Sequence, residues 1–165
     1  PSAIAYTSLE LGRTLSSSDP AASLKLFEGA LALAGSLDVE ITASAARAHL
    51  AALYTADGRP DAALALLGAA IQRQVRAGAW LYVWTSLEPI PQPLADAGCP
   101  ELAAVVIGVC RQQLESGATG YTDLLARLAD DLGPERLERL LEQGRHTTVA
   151  DTARRVMQAI DELLA

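Results

Sequence analysis

Apolar residues recur along this chain at spacings of three and four, the signature of one buried face on an α-helix. Three segments share a small–large–small pattern: Ser23/Phe27/Ala30, Ala63/Leu67/Ala70 and Ala103/Ile107/Cys110. Each begins three residues after a proline, and Pro20, Pro60 and Pro100 are spaced 40 residues apart. Proline at the first helical position loses nothing, because its missing N–H would be unpaired there anyway. Asp19 precedes the first proline, while Asp61 and Glu101 follow the others, placing acidic groups at positive helix ends. Small residues let backbones approach, and the large one fills the space beside them.

A second helix precedes each proline and ends in turn-forming residues: Ser16-Ser17-Ser18-Asp19, Asp57-Gly58-Arg59 and Ala95-Asp96-Ala97-Gly98. The chain therefore reads as three helix pairs at a 40-residue period. The first helix of the third pair is interrupted by Glu88-Pro89-Ile90-Pro91-Gln92-Pro93, which must break it. Trp80, Tyr82 and Trp84 stand just upstream. They read either as filling for the break or as aromatic anchors of a groove.

The repeat is expected to stop after Gly117. Tyr121, Leu124, Leu125, Leu128 and Leu132 then follow helical spacing, and Gly133-Pro134-Glu135 ends one helix and opens the next. Leu137, Leu140 and Leu141 form that helix's stripe, with Gly144 as its terminator and Glu135 and Arg139 as a surface pair. Thr148 and Asp151 resemble a capping box ahead of a last stripe, Val149, Ala153, Val156, Ile160 and Leu163. An array needs such a segment to cover its last apolar face.

Composition supports an all-α domain: half the residues are hydrophobic but only 4% aromatic, so alanine and leucine dominate. A net charge of −7 argues against nucleic-acid or anionic-membrane binding. Cys99 and Cys110 share no metal-ligand spacing, which fits a reducing cytoplasm. No apolar run reaches the roughly 18 residues of a membrane span. His49 and His146 have no ligand neighbours, and no nucleophile elbow or phosphate-binding glycine loop occurs. No catalytic, cofactor or metal site is expected. A chain that starts at Pro1 and has Met157 as its one methionine reads as a fragment of a longer protein.

The middle unit, Leu50-Ala51-x-x-Tyr54-x-x-x-Gly58-x-x-x-x-Ala63-x-x-x-Leu67-x-x-Ala70, resembles a tetratricopeptide repeat at its signature positions. Units one and three match mainly in their second helices, and the period exceeds the family's usual length of about 34 residues. The resemblance implies an α-α superhelix of about three such pairs, at 1–37, 39–77 and 79–117, with capping helices over 118–165. It also implies a partner groove along the first helices, whose positions here are Ala45, Ala48, Ala52 and Thr55, then Thr85, Glu88, Gln92 and Asp96. With Trp80 and Trp84, the residues Thr55, Thr85, Glu88, Gln92 and Asp96 are the candidate partner-binding set.

The tail has its own likeness. Leu132-Gly133-Pro134-Glu135-Arg136, Glu142-Gln143-Gly144-Arg145 and Thr148-Val149-Ala150-Asp151-Thr152-Ala153 are similar to the end of the helical-repeat region in large bacterial regulators. Those join a signal-transduction ATPase to such repeats, often with a LuxR-type DNA-binding domain or a cyclase domain. The resemblance implies a cytoplasmic regulatory or sensor arm that binds its parent's other domains or a partner protein. A pocket near Trp80 and Trp84 for a small-molecule effector is the alternative. A third reading takes Thr148–Val156 as the start of a helix-turn-helix, but Met157 to Ile160 continue the stripe without a turn, so this segment is not expected to bind DNA.

Overall fold

The computed structural model describes residues 1–113 and 119–165. The expected end of the third pair at Gly117 and the start of the cap at residue 118 lie outside the described residues. The described residues are helical, with no strand among them. The helices are α1 (Ser2–Leu15), α2 (Pro20–Ser36), α3 (Glu40–Ala56), α4 (Pro60–Arg76), α5 (Trp80–Leu87), α6 (Pro91–Asp96), α7 (Pro100–Gln113), α8 (Thr122–Leu132), α9 (Pro134–Arg145) and α10 (Val149–Leu163). A 3-10 turn, Thr119–Tyr121, precedes α8.

Consecutive helices pack antiparallel: α1 on α2, α2 on α3, α3 on α4, α4 on α5, and α6 on α7. The small–large–small pattern explains the pairing. Phe27, Leu67 and Ile107 are buried, and Ala30, Ala70 and Cys110 are buried beside them. The first pair makes its close approach at Gly12, where an added Cβ would stand 2.7 Å from the Phe27 ring. The Ser23 hydroxyl donates to the Gly12 carbonyl oxygen at 2.8 Å, which pairs the polar atom that burial would otherwise strand.

The 40-residue period is built from two halves. Helices α2, α3 and α4 have 17 residues each, and three-residue turns separate them. Asp38, Gly58, Gly78 and Gly98, twenty residues apart in succession, all take positive φ, between 55° and 87°. Each turn closes with the same long backbone bond: Val39 N–H to Ala34 O, Arg59 to Tyr54, Ala79 to Gln74 and Cys99 to Leu94, at 2.8–2.9 Å. These are Schellman-type stops, in which a left-handed residue satisfies carbonyls the helix leaves open. The next helix starts at once. Asp19 caps α2 by accepting from the Ala22 N–H at 2.9 Å.

The proline run divides the third first-helix in two: α5 ends at Leu87 and Pro91 opens α6. Val83, Leu87, Ile90 and Leu94 stay fully buried across the break, so the two pieces present one continuous apolar side.

The tail differs from expectation in three places. Gly144 does not end α9; it lies within it, buried against Gly108 of α7. Both lack a Cβ because the backbones cross there: a Cβ at Gly108 would overlap the Leu141 carbonyl oxygen and stand 2.9 Å from Gly144 Cα. Glu135 does not pair with Arg139; Arg136 instead pairs with Glu101 of α7 and ties the two helices. Leu163, expected on the last stripe, is exposed. The Thr148 side chain accepts from the Asp151 N–H at 3.1 Å and starts α10. Thr152, Ala153, Val156 and Ile160 of α10 are buried, and the helix reaches back past α7 to α4 and α5. Ile160 fits over Gly68, where an added Cβ would meet it at 3.0 Å.

Candidate functional site

Stacking aligns the first helices α1, α3 and α5–α6 along one side of the array. On α3 the expected groove positions form a smooth surface: Ala45, Ala48 and Thr55 are half-buried and Ala52 is exposed. Thr55 donates to the Ala51 carbonyl oxygen at 2.7 Å and Thr85 to that of Tyr82 at 2.9 Å. Both hydroxyls are held by their own helices.

In the third unit the chain's own C-terminal segment engages the expected groove. Breaking the helix frees the Glu88 carbonyl, which accepts a hydrogen bond from the Tyr121 hydroxyl at 2.6 Å. Gln92 donates to Asp96 at 3.0 Å, and Asp96 pairs with Arg127 of α8 at 2.6 Å. The tail thus holds the Glu88 backbone and the Asp96 side chain, and Gln92 is joined to it through Asp96. The Asp96–Arg127 pair is partly exposed and contributes about 1 kcal/mol or less. The Tyr121 hydroxyl is also a hydrogen-bond partner of Cys110, whose thiol burial pushes up to about 12. Burial likewise drives the Tyr121 phenol up.

The two tryptophans have different surroundings. Trp84 packs against the main core, whereas Trp80 opens α5 and is 46% exposed. Beside it Leu81 is 72% exposed, and Ile41, its counterpart 40 residues earlier at the start of α3, is 74% exposed. Ile41 and Leu81 lie outside the groove positions that the repeat resemblance implies. Their signal is an apolar side chain at the second position of a helix, off the buried stripe, recurring at the unit period.

A buried polar cluster holds this end of the array. Glu40 accepts from Arg47 at 2.7 Å and Gln74 at 2.8 Å through one oxygen, and from Arg73 at 2.9 Å through the other. Arg47 and Gln74 are buried, while Arg73 is exposed. Burial opposes ionisation of Glu40, but hydrogen bonds from Arg47 and Gln74 and the charges of Arg47 and Arg73 outweigh it, so its carboxyl sits below its usual range. The cluster joins the start of α3 to the end of α4. His49 stacks on Phe27 with ring centroids 4.9 Å apart, and burial, then the Arg13 charge, pulls its pKa down.

Among the described residues, no three His, Cys, Asp or Glu side chains converge as metal ligands would. No described helix is long and apolar enough to cross a membrane. Large apolar side chains are exposed at the starts of α3 and α5, at Ile41, Trp80 and Leu81, and along α1, at Ile4, Tyr6 and Leu11. No protein-family model matches the chain, and no curated protein or solved structure does either.

Proposed function

We propose that this chain is a non-catalytic interaction module of tetratricopeptide type, which holds a partner protein or the other domains of its parent. The observation that carries the reading is the row of large apolar side chains, Ile41, Trp80 and Leu81, displayed at the starts of stacked first helices. Exposed aromatic and aliphatic groups on a rigid scaffold are what a protein interface uses as anchors. The twenty-residue turn period supports it further, because a stiff, regularly built array presents such residues at fixed separations.

The similarity of roughly residues 95–160, carried by the motifs between Leu132 and Ala153, to the repeat region of bacterial signal-responsive regulators supports a narrower version, a cytoplasmic regulatory arm. Such an arm acts by contacting one state of its parent better than the other. The test uses the parent protein with Ile41→Glu and Leu81→Glu, which leave the buried stripes untouched. The reading expects the signal response or the parent's assembly to change while the helical content of the array is retained. An unaltered response and assembly, both in this variant and after deletion of the whole region, would remove the role.

A further inference from the structure

The apolar seam between units repeats in the structure and is open once. In α3 the seam residues are Ala43 and Leu50, fully buried against Phe27, Ala30 and Ala34 of α2. In the third unit they are Val83 and Ile90, buried in a cluster with Leu64, Leu67 and Ile71 of α4. Each distal residue is followed by a compact buried one, Leu50-Ala51 and Ile90-Pro91, and Ala51 packs with Leu67 of its own second helix. The same arrangement in the first unit is Leu11-Gly12, since Gly12 meets Phe27 as Ala51 shares a cluster with Leu67. Ile4 and Leu11 are therefore the seam residues of α1. They are 63% and 48% exposed, although their counterparts are buried throughout.

The structure also says what covers such a seam. In both closed cases it is the preceding antiparallel helix, bearing a large residue flanked by alanine-sized ones. Among the described residues, the second helices of a second copy of this chain offer no free face of that kind. The matching faces of α2, α4 and α7 are buried in their own pairs, with Ala30, Ala70 and Cys110 all inaccessible. We propose that the Ile4–Leu11 face of α1 is a seat for an amphipathic helix from outside residues 1–165, running antiparallel to α1 as a further layer of the array. Its buried stripe would follow the spacing of Ser23, Phe27 and Ala30. The proposal rests on the seam geometry and not on the regulatory role.

The test appends a copy of residues 19–39 directly before Pro1 of the full chain, which reproduces the α2-to-α3 junction in cis and at high effective concentration. Hydrogen exchange of the α1 amides and urea unfolding are measured with and without the added helix. The expected result is at least ten-fold slower exchange along α1 and a higher unfolding midpoint. Leu11→Glu should abolish both gains in the extended chain while leaving the original chain's stability unchanged. Three results would each overturn the proposal. The added helix could leave α1 exchange unchanged, its gain could survive Leu11→Glu, or the original chain could self-associate in ultracentrifugation through a contact that Leu11→Glu removes.

Discussion

The crossing of α7 and α9 offers the sharpest test of how this fold is held, because both helices present a glycine at the point of contact. Replacing Gly108 by alanine adds one methyl group. Its neighbours would be the Leu141 carbonyl oxygen, in overlap, and Gly144 Cα at 2.9 Å. Both are backbone atoms, so no side chain can rotate away, and the helices must separate by a good part of an ångström. Overpacking of this kind costs about 1–3 kcal/mol, and a backbone obstacle puts the value near the top. Against that, alanine favours the helix over glycine by about 1 kcal/mol. The net expectation is a loss of about 2 kcal/mol, measured as a lower urea midpoint at unchanged slope. Gly29→Ala is the control, since an added Cβ there meets nothing within 4 Å and should stabilise by up to about 1 kcal/mol. Gly144→Ala should match Gly108→Ala, and the double variant should lose less than the sum, because the first methyl has already opened the crossing. If Gly108→Ala proved as stable as the parent, the helices would not be in backbone contact and the reasoning would fail.

Asp38 is the one left-handed turn residue of the four that is not glycine, so Asp38→Gly should raise stability, by up to about 1 kcal/mol, whereas Gly78→Ala should lower it by about 1–2 kcal/mol; urea unfolding checks both. Glu40→Gln strands the buried Arg47 charge and should cost about 3 kcal/mol at neutral pH. Because the folded Glu40 pKa lies below 4.5, the ion cluster's stabilisation is present above that value and fades as pH falls through the folded pKa, so thermal melts below pH 4.5 should bring the parent and the variant closer together. His49 has the same sign, its folded pKa lying below 6.5, so His49→Gln should flatten the decline in stability that begins as pH drops past 6.5. Tyr121→Phe removes the hydroxyl that satisfies the Glu88 carbonyl and should cost about 1–2 kcal/mol by urea titration.

The helical pairing was legible because it depends on local pattern. Proline starts at residues 20, 60 and 100 and the small–large–small faces are written in consecutive residues. The finer half-unit was equally local but hidden by Asp38, since Gly58, Gly78 and Gly98 alone carry the twenty-residue spacing and the fourth turn uses another residue. Gly144 departs from its expected role for a physical reason. A glycine after a leucine stripe suits a helix stop, and only its contact with Gly108, 36 positions earlier in the chain, shows that it is a packing residue. The tail's hold on Glu88 and Asp96 was likewise invisible, because Tyr121 and Arg127 reach them across a distance that no spacing rule encodes. Of the candidate set, Trp80 remains openly displayed, while Trp84 belongs to the core.

The length of the unit links the polar cluster to the apolar display. Leu50, Ala51 and Tyr54 relate to Ala63, Leu67 and Ala70 at the spacing of a repeat of about 34 residues, so the extra length of each pair, about six residues, falls at the far end of the helices. That end is the first turn of α3 and the last turn of α4, where Glu40 meets Arg73 and Gln74. An added turn at a helix end has little apolar stripe to bury and would fray, since terminal groups lack intrahelical partners. Glu40 ties the two ends and places a negative charge at the start of α3, where the helix dipole favours it. Arg73 and Arg76 complement the end of α4 in the same way. Ile41 stands on this added turn, and Leu81 at its counterpart on α5. Loosening the cluster by Glu40→Gln should therefore leave the Ala51–Leu67 core in place while the Ile41 turn loses order, which amide exchange resolves residue by residue. Uniform loss of protection across α3 would contradict that division of labour.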